Sequence, residues 1–388
     1  MKVTPRRLML YFFLSSVLLS TSVFLIWTYY GRGLPLEPPW LNVGEVKAFG
    51  EDRQKGNVVS VQPWMLPQDY ASEQAFAQKM DGYLQEAQKQ GWLNPKTLVV
   101  FPEYIGTWLV VMHEKAEVYS QSTLNQAMLW MVSSNIYGLL TRSAALPKRI
   151  QSPNDQMAYG LFAFKASQMA ATYHRVFGGL AKKYGVSIVA GSILLSNPSL
   201  KQDELVAGNG ELYNVSVVYL PTGKPYPQLI KKAYPIAEEK TFVAAGAPQD
   251  IPILDLPIGK TGVLICADSW YAQCYAPLAK DSVQVLVVPS FVSGQQAWSK
   301  PWKGYSGQPN PSEVDKQDIQ KLTEGEAWQK YALAGRLAQT SIPLGVNVFL
   351  RGLLWDLGSD GATTFYQEGQ TWQATHQSKA ALHCIWVK

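Results

Sequence analysis

Three polar side chains stand where apolar runs end. Glu103 follows 97–101 (TLVVF) and Pro102, Lys232 closes PQLIKK, and Cys266 closes GKTGVLIC. Singly, each has a plain structural reading: a surface carboxylate, a solvated strand end, a small buried hydrophobe. Together they form a chemically complete set. A thiol with a pKa of about 8.5 is mostly protonated at neutral pH, and a nearby carboxylate can take its proton as general base. An ammonium group stabilises the thiolate and then the oxyanion of a tetrahedral intermediate. These groups suffice for acyl transfer from a carboxamide or nitrile without a metal. His113, His174, His376 and His383 show no metal-ligand spacing, so no metal or other cofactor is expected.

The elements that must hold this set alternate along the chain. Short β-rich runs occupy 57–61, 97–101, 186–195, 260–266 and 284–289, and 213–220 with 228–232 reads as a hairpin joined through Pro-Thr-Gly-Lys. Residues 69–91 and 165–184 read as helices stopped by Gly91 and Gly185. The first carries Phe76, Met80, Tyr83, Leu84 and Ala87 on one face. A late helix (324–340) and a late strand (344–350) follow. The alternation predicts an α/β fold, in which the ends of strands are where ligand-facing side chains collect. One domain from about residue 45 to 388 is expected.

Composition narrows the function classes. The chain has 388 residues, 47% hydrophobic and 16% charged, which describes a folded globular protein. Lys2, Arg6 and Arg7 supply three of its five net positive charges. The remaining charge, about +2, is too mild for a nucleic-acid footprint. Three cysteines are too few for a disulfide framework, although a Cys274–Cys384 pair stays open outside the cytoplasm.

Residues 8–30 run 23 positions without a charge, roughly 34 Å as a helix, enough to cross a hydrocarbon core with some tilt. Trp27, Tyr29 and Tyr30 suit the interface at one end. Lys2, Arg6 and Arg7 precede the run, and only Arg32 follows within a dozen residues. That bias puts the N-terminus in the cytoplasm and everything after Gly31 outside, periplasmic in a Gram-negative cell. The competing reading is a cleaved signal peptide. The run ends in WTYYGRG rather than a small-x-small cleavage signal, which favours an uncleaved, single-pass anchor. Residues 1–31 are thus cytoplasmic tip and anchor, and the Pro-rich stretch 32–44 a semi-extended linker to the domain at 45–388.

Three motifs in order, VVFPEY, KKAYPIAEEKTF and VLICADSW, resemble those of the nitrilase (carbon–nitrogen hydrolase) superfamily from Asn57 to about Phe365. YNVSVVYLPTGK, LVVPS and LLWDLGSDG are supporting matches. The resemblance implies a four-layer αββα sandwich and a covalent acyl- or thioimidate-enzyme. It assigns Glu103 as general base and Cys266 as nucleophile. It selects Lys232 over Lys231, because Pro235 and Glu239 fall three and seven residues after it. Glu239 becomes the supporting second glutamate, and the backbone N–H of Ala267 joins Lys232 at the oxyanion. Tyr104, Trp270 and Trp298 are candidates for the pocket wall, with Trp302 beside them; Trp298 and Trp302 read equally as loop anchors. Relatives often pair, which leaves a homodimer open.

The stretch between Glu103 and Lys232 is some tens of residues longer than the family's, an insertion at about 105–164. It holds LNQAMLWMVSSNIYGLL (124–140), uncharged but too polar for a second span. Two readings stand: an interfacial or lid helix that walls the Cys266 pocket and favours a lipophilic substrate, or a helix packed on the core or at a dimer contact. The leading function is a membrane-anchored, cysteine-dependent amide hydrolase whose partners are a small-molecule or lipid-like amide and the bilayer. An N-acyltransferase related to lipoprotein acylation, a nitrilase and a non-catalytic binding domain are the alternatives. The lipoprotein-acylating branch carries several membrane spans, against one here.

Overall fold

The computed structural model describes residues 5–141, 146–279, 282–375 and 378–388; Lys2 and His376 fall outside them. Two six-stranded mixed sheets form the centre. The first uses β1 (Val43–Phe49), β2 (Asn57–Gln62), β3 (Thr97–Val100) and β4 (Ser187–Val189). A small sheet comprises β5 (Ile193–Ser196), β6 (Leu212–Ser216), β8 (Ile230–Lys231) and β9 (Val243–Ala244), while β7 (Val218–Tyr219) returns to the first sheet. The second large sheet holds β10 (Ile253–Leu256), β11 (Gly259–Val263), β12 (Val285–Ser290), β13 (Leu344–Phe349), β14 (Thr364–Gln367) and β15 (Gln370–Gln373). The last strand, β16 (Ala380–Trp386), inserts between β1 and β2, so the first sheet runs β1-β16-β2-β3-β4-β7.

Strand alternation sorts the core into layers. In the first sheet Val58, Leu98, Val100 and Val189 pack with Val263, Val285 and Val287 of the second, forming the inter-sheet core. Val59, Val61, Val99 and Ile188 point the other way, into Phe76, Met80, Tyr173 and Phe177. Those residues belong to α2 (Glu73–Lys89) and to a long helix, Pro153–Tyr184. The outer face of the second sheet is covered by Leu278, Ala327, Leu333 and Leu337, from three short helices (Ala272–Ala279, Glu324–Tyr331 and Leu333–Leu337). This is the expected αββα sandwich.

Several boundaries differ from the sequence reading for identifiable reasons. The run 186–195 breaks into β4 and β5 at Gly191, whose φ is +70° and where a Cβ would stand 2.0 Å from the Pro102 carbonyl oxygen. The break lets Ser192 accept from the Tyr104 N–H through Oγ and from the Gly106 N–H through its carbonyl, which pins the turn carrying Glu103. The helix expected at 324–340 bends at Ala332, outside the helical region. The helix expected from Lys165 starts instead at Pro153, capped by the Ser152 hydroxyl, and ends as expected on Gly185. No disulfide joins Cys274 to Cys384. Both thiols are free and buried, in different clusters, and Cys384 accepts from Asn57 Nδ2 at 3.0 Å.

Helix α1 (Pro5–Tyr29) is long and apolar enough to cross a membrane and lies exposed along its length. The segment 105–164 grips its end. This segment contains α3 (Ala116–Ser120) and α4 (Leu124–Thr141); the Pro153–Tyr184 helix follows as α5. The Lys115 ammonium donates to the carbonyls of Trp27 (2.9 Å) and Tyr30 (2.5 Å), satisfying acceptors that a helix C-terminus leaves open. Arg32 bonds Glu114 (3.2 Å), the Ser134 carbonyl (2.8 Å) and Asn135 (3.1 Å), and Lys165 completes the pairing of the buried Glu114. Trp27 meets Trp130 with ring centroids 5.9 Å apart. The stretch 32–44 is therefore no free spacer. Gly33 N–H bonds the Glu114 carbonyl at 2.8 Å, and the carbonyls of Trp40 and Leu41 accept from Lys79 and Tyr83.

Gly191→Ala should both strain a left-handed backbone, at a cost of about 1–3 kcal/mol, and push Pro102 and the Glu103 turn aside. The expected outcome is a lower urea midpoint together with a loss of activity larger than the fraction unfolded explains. Circular dichroism and kinetics on one sample check it.

Candidate active site

Each predicted reacting group sits just past the C-terminal end of a strand: Glu103 after β3, Lys232 after β8, Cys266 after β11. The three strands belong to three different sheets, so the site is made where the sheets' ends converge. Cys266 adopts a left-handed φ of +49°, a strained elbow of the kind that concentrates at functional sites. There the chain leaves β11 and enters a 3₁₀ turn.

Lys232 is buried between two carboxylates. Its Nζ donates to Glu103 Oε1 at 2.8 Å and to Glu239 Oε2 at 2.6 Å. Asn214, from β6, reaches the same pair: its Nδ2 donates to Glu103 Oε1 (2.9 Å) and Glu239 Oε1 (3.1 Å). Glu239 is further held by the Tyr104 hydroxyl and the Ile236 N–H. Lys231, the neighbour passed over, points away and places its Nζ 4.1 Å from the Tyr213 ring centroid. The Cys266 thiol donates to the Phe291 carbonyl at 3.6 Å and shares its cavity with the Glu103 carboxyl.

Burial and charge divide the roles of these groups. Burial, opposed by Lys232 and reinforced by Glu239, raises the Glu103 carboxyl above the ordinary glutamate range. Burial also pushes Glu239 up, but Lys232 and the three hydrogen bonds outweigh it, so this carboxylate stays ionised. Burial works against the Lys232 ammonium, yet its two carboxylate neighbours raise it well above the usual lysine value. Burial and the Glu103 charge together raise the Cys266 thiol well above 9. Cys266 thus carries a neutral thiol in the same cavity as a carboxyl of raised proton affinity.

Asp268, two residues past the nucleophile, bonds three backbone N–H groups. Oδ1 accepts from Ala233 (2.9 Å) and Tyr234 (2.8 Å), and Oδ2 from Ile265 (3.3 Å). One carboxyl therefore ties the lysine segment to the cysteine elbow. Burial raises it to about 7.

Glu103, Tyr104, Glu239, Cys266, Ala267 and Trp270 line one cavity of about 1060 Å³, with Lys232 set back behind the carboxylates. Trp298 is a correction. It is absent from the cavity wall and packs its ring on Phe349 and Trp328 while its backbone N–H donates to Asp360 Oδ2, whereas Trp302 does line the cavity. The segment 105–164 supplies a further wall: Leu124, Met128 and Met131 of α4, and Leu161 and Phe162 of α5. Among the described residues no group of His, Cys, Asp and Glu could hold a metal ion. Asn214 and Asp268 were missed as site residues. Both stood inside quoted motifs, but a polar residue in a β-rich run carries no sign of which partner it meets.

A model of the carbon-nitrogen hydrolase family matches residues 58–308. Among solved structures the chain is similar to a cysteine-to-serine variant of a Nesterenkonia amidase from the nitrilase superfamily (14% identity, 86% of this chain and 92% of that one, TM-score 0.53). It is also similar to a carbon–nitrogen hydrolase from Helicobacter pylori (15%, 85% and 88%, 0.53). A third is a form of the Nesterenkonia amidase with the acetamide moiety of fluoroacetamide added covalently at its active-site cysteine (14%, 84% and 88%, 0.51). No curated protein matches the chain.

Asn214→Ala removes a donor from the Glu103 carboxylate, so the charged form loses stabilisation and its pKa rises further. The acid limb of the pH–rate profile should then move to higher pH, with kcat down about tenfold to a hundredfold, in the range of general-base contributions. An unshifted limb would mean that Asn214 only fills space.

Proposed function

Because the chain belongs to the carbon–nitrogen hydrolase family, we propose that it hydrolyses an amide through a thioester on Cys266. The observation that carries this reading is the meeting of a thiol, a carboxyl of raised proton affinity and a charged lysine at one cavity. The Nesterenkonia amidase, which takes an acetamide moiety at its active-site cysteine, supports it by analogy of fold.

In the proposed cycle Glu103 accepts the Cys266 proton as Sγ bonds the amide carbon, and the carbonyl electron pair moves onto oxygen. Lys232 Nζ and the Ala267 N–H receive that oxyanion. As the oxygen lone pair re-forms the carbonyl, the C–N bond breaks and Glu103 passes its proton to the leaving nitrogen. Water then gives its proton to Glu103 and its oxygen to the thioester carbon, and Sγ departs with the proton. Glu239 stays ionised throughout and keeps Lys232 charged and oriented. An amine in place of water would make the same intermediate an acyl donor.

The reading extends to location. Arg6 and Arg7 lie in the first turn of α1, ahead of its apolar run, and Arg32 follows it, so α1 anchors the domain on the extracytoplasmic side of a membrane.

Exposing the purified protein to an amide library should add one acyl mass to the wild type and none to Cys266→Ala, read by intact-mass spectrometry. Glu103→Gln should trap the adduct by slowing both steps. An adduct surviving on Cys266→Ala would overturn the assignment, and product analysis with added amines separates hydrolysis from transfer. Protease added outside spheroplasts should degrade the domain; full protection would reverse the proposed topology.

A further inference from the structure

Helix α4 (Leu124–Thr141) carries no charged residue, and its two faces do different things. At about 100° per residue, Leu124, Met128 and Met131 share one side, and all three line the cavity that holds Cys266. Leu129, Ile136 and Leu140 share the opposite side and lie 50%, 41% and 70% exposed, with Tyr137 beside them at 71%. A helix apolar on all sides is found buried on all sides. Here the inner side faces the cavity, while Leu129 and Ile136 on the outer side lie exposed.

What lies against the outer side follows from its neighbour. α4 packs on the end of α1 through Trp27–Trp130 and through Arg32 with Ser134 and Asn135. The apolar stretch of α1 continues to that level, and its own side chains are exposed there, Ile26 at 67%. The two exposed apolar surfaces belong to helices in direct contact. We propose that the outer face of α4 lies in the surface layer of the same bilayer that α1 crosses. We assign the inner-face arm of the cavity, walled by Leu124, Met128, Met131, Leu161 and Phe162, to the hydrocarbon chain of an amphiphilic amide drawn from that layer. This rests on the two readings above, α1 as a span and Cys266 as an acyl acceptor, and adds to them a substrate class.

The contact is tested on the full chain reconstituted in phosphatidylcholine vesicles whose acyl chains carry a diazirine. After photolysis, peptide mapping should find lipid on α1 and on Leu129, Ile136 or Leu140. Label on α1 alone overturns the seating of α4. Label on neither overturns the anchor and this inference together. If α4 is unlabelled and Leu140→Asn dissociates a dimer, the face belongs to a second copy and the inference also fails.

The chain arm is tested by hydrolysis of fatty amides of increasing length. kcat/KM should rise by about fourfold per methylene until the arm is filled, and Met131→Trp should shorten the length at which the rise stops. Normal turnover with no dependence on length overturns the substrate class while leaving the hydrolase reading intact. Failure to turn over any amide, with α4 still labelled, removes the hydrolase reading and with it the substrate class. For Leu129→Asn/Ile136→Asn/Leu140→Asn, the ratio of long-chain amide turnover in vesicles to short-chain turnover in solution should fall about tenfold; an unchanged ratio overturns uptake from the bilayer.

Discussion

A buried ammonium between two buried carboxylates is the constraint around which the rest of this molecule is arranged. Removing an ion from water costs several kcal/mol even after relaxation, while one opposite charge at 4 Å returns about 4 kcal/mol at an effective dielectric of about 20. With one carboxylate Lys232 would be close to break-even. Glu239 tips the balance, so Lys232 stays charged and Glu103 is left with more negative charge around it than its single lysine neutralises. The raised proton affinity of Glu103 is thus a by-product of the same triad that keeps the lysine charged. Asn214 and Tyr104 supply the further donors that such a charge excess requires.

This triad also explains why the fold needs so many strands for so few reacting atoms. Glu103, Lys232 and Cys266 stand on three sheets, and burial at that junction requires the inter-sheet core on one side and α2 and α5 on the other. The segment 105–164 adds a second task to the same framework. It closes one wall of the cavity and holds the end of α1 through Lys115, Arg32 and Glu114.

Much of this was legible in the chain itself. Periodicity located α2, β2, β3, β12 and β13, because a buried strand or an amphipathic helix writes its packing into its own residues. Motif spacing separated Lys232 from Lys231, and the structure turns the latter onto Tyr213. Contacts across distant segments were not legible. The kink at Gly191 depends on Pro102, nearly ninety positions earlier, and Trp298 chose Phe349 and Trp328 over the cavity for reasons that lie in their packing. The pinning of residues 32–44 depended on an acceptor from Glu114 and donors from α2 that only the folded chain brings alongside.

The Asp268 carboxyl, accepting from Ala233, Tyr234 and Ile265, has a mechanical corollary. Because it fastens the backbone beside the amine to the backbone beside the sulfur, thermal breathing of either sheet carries both ends of the reacting axis together. Jaw spacing is thereby decoupled from the softness of the lining. The far wall of the cavity, with Met128 and Met131 on α4, stands outside that tie.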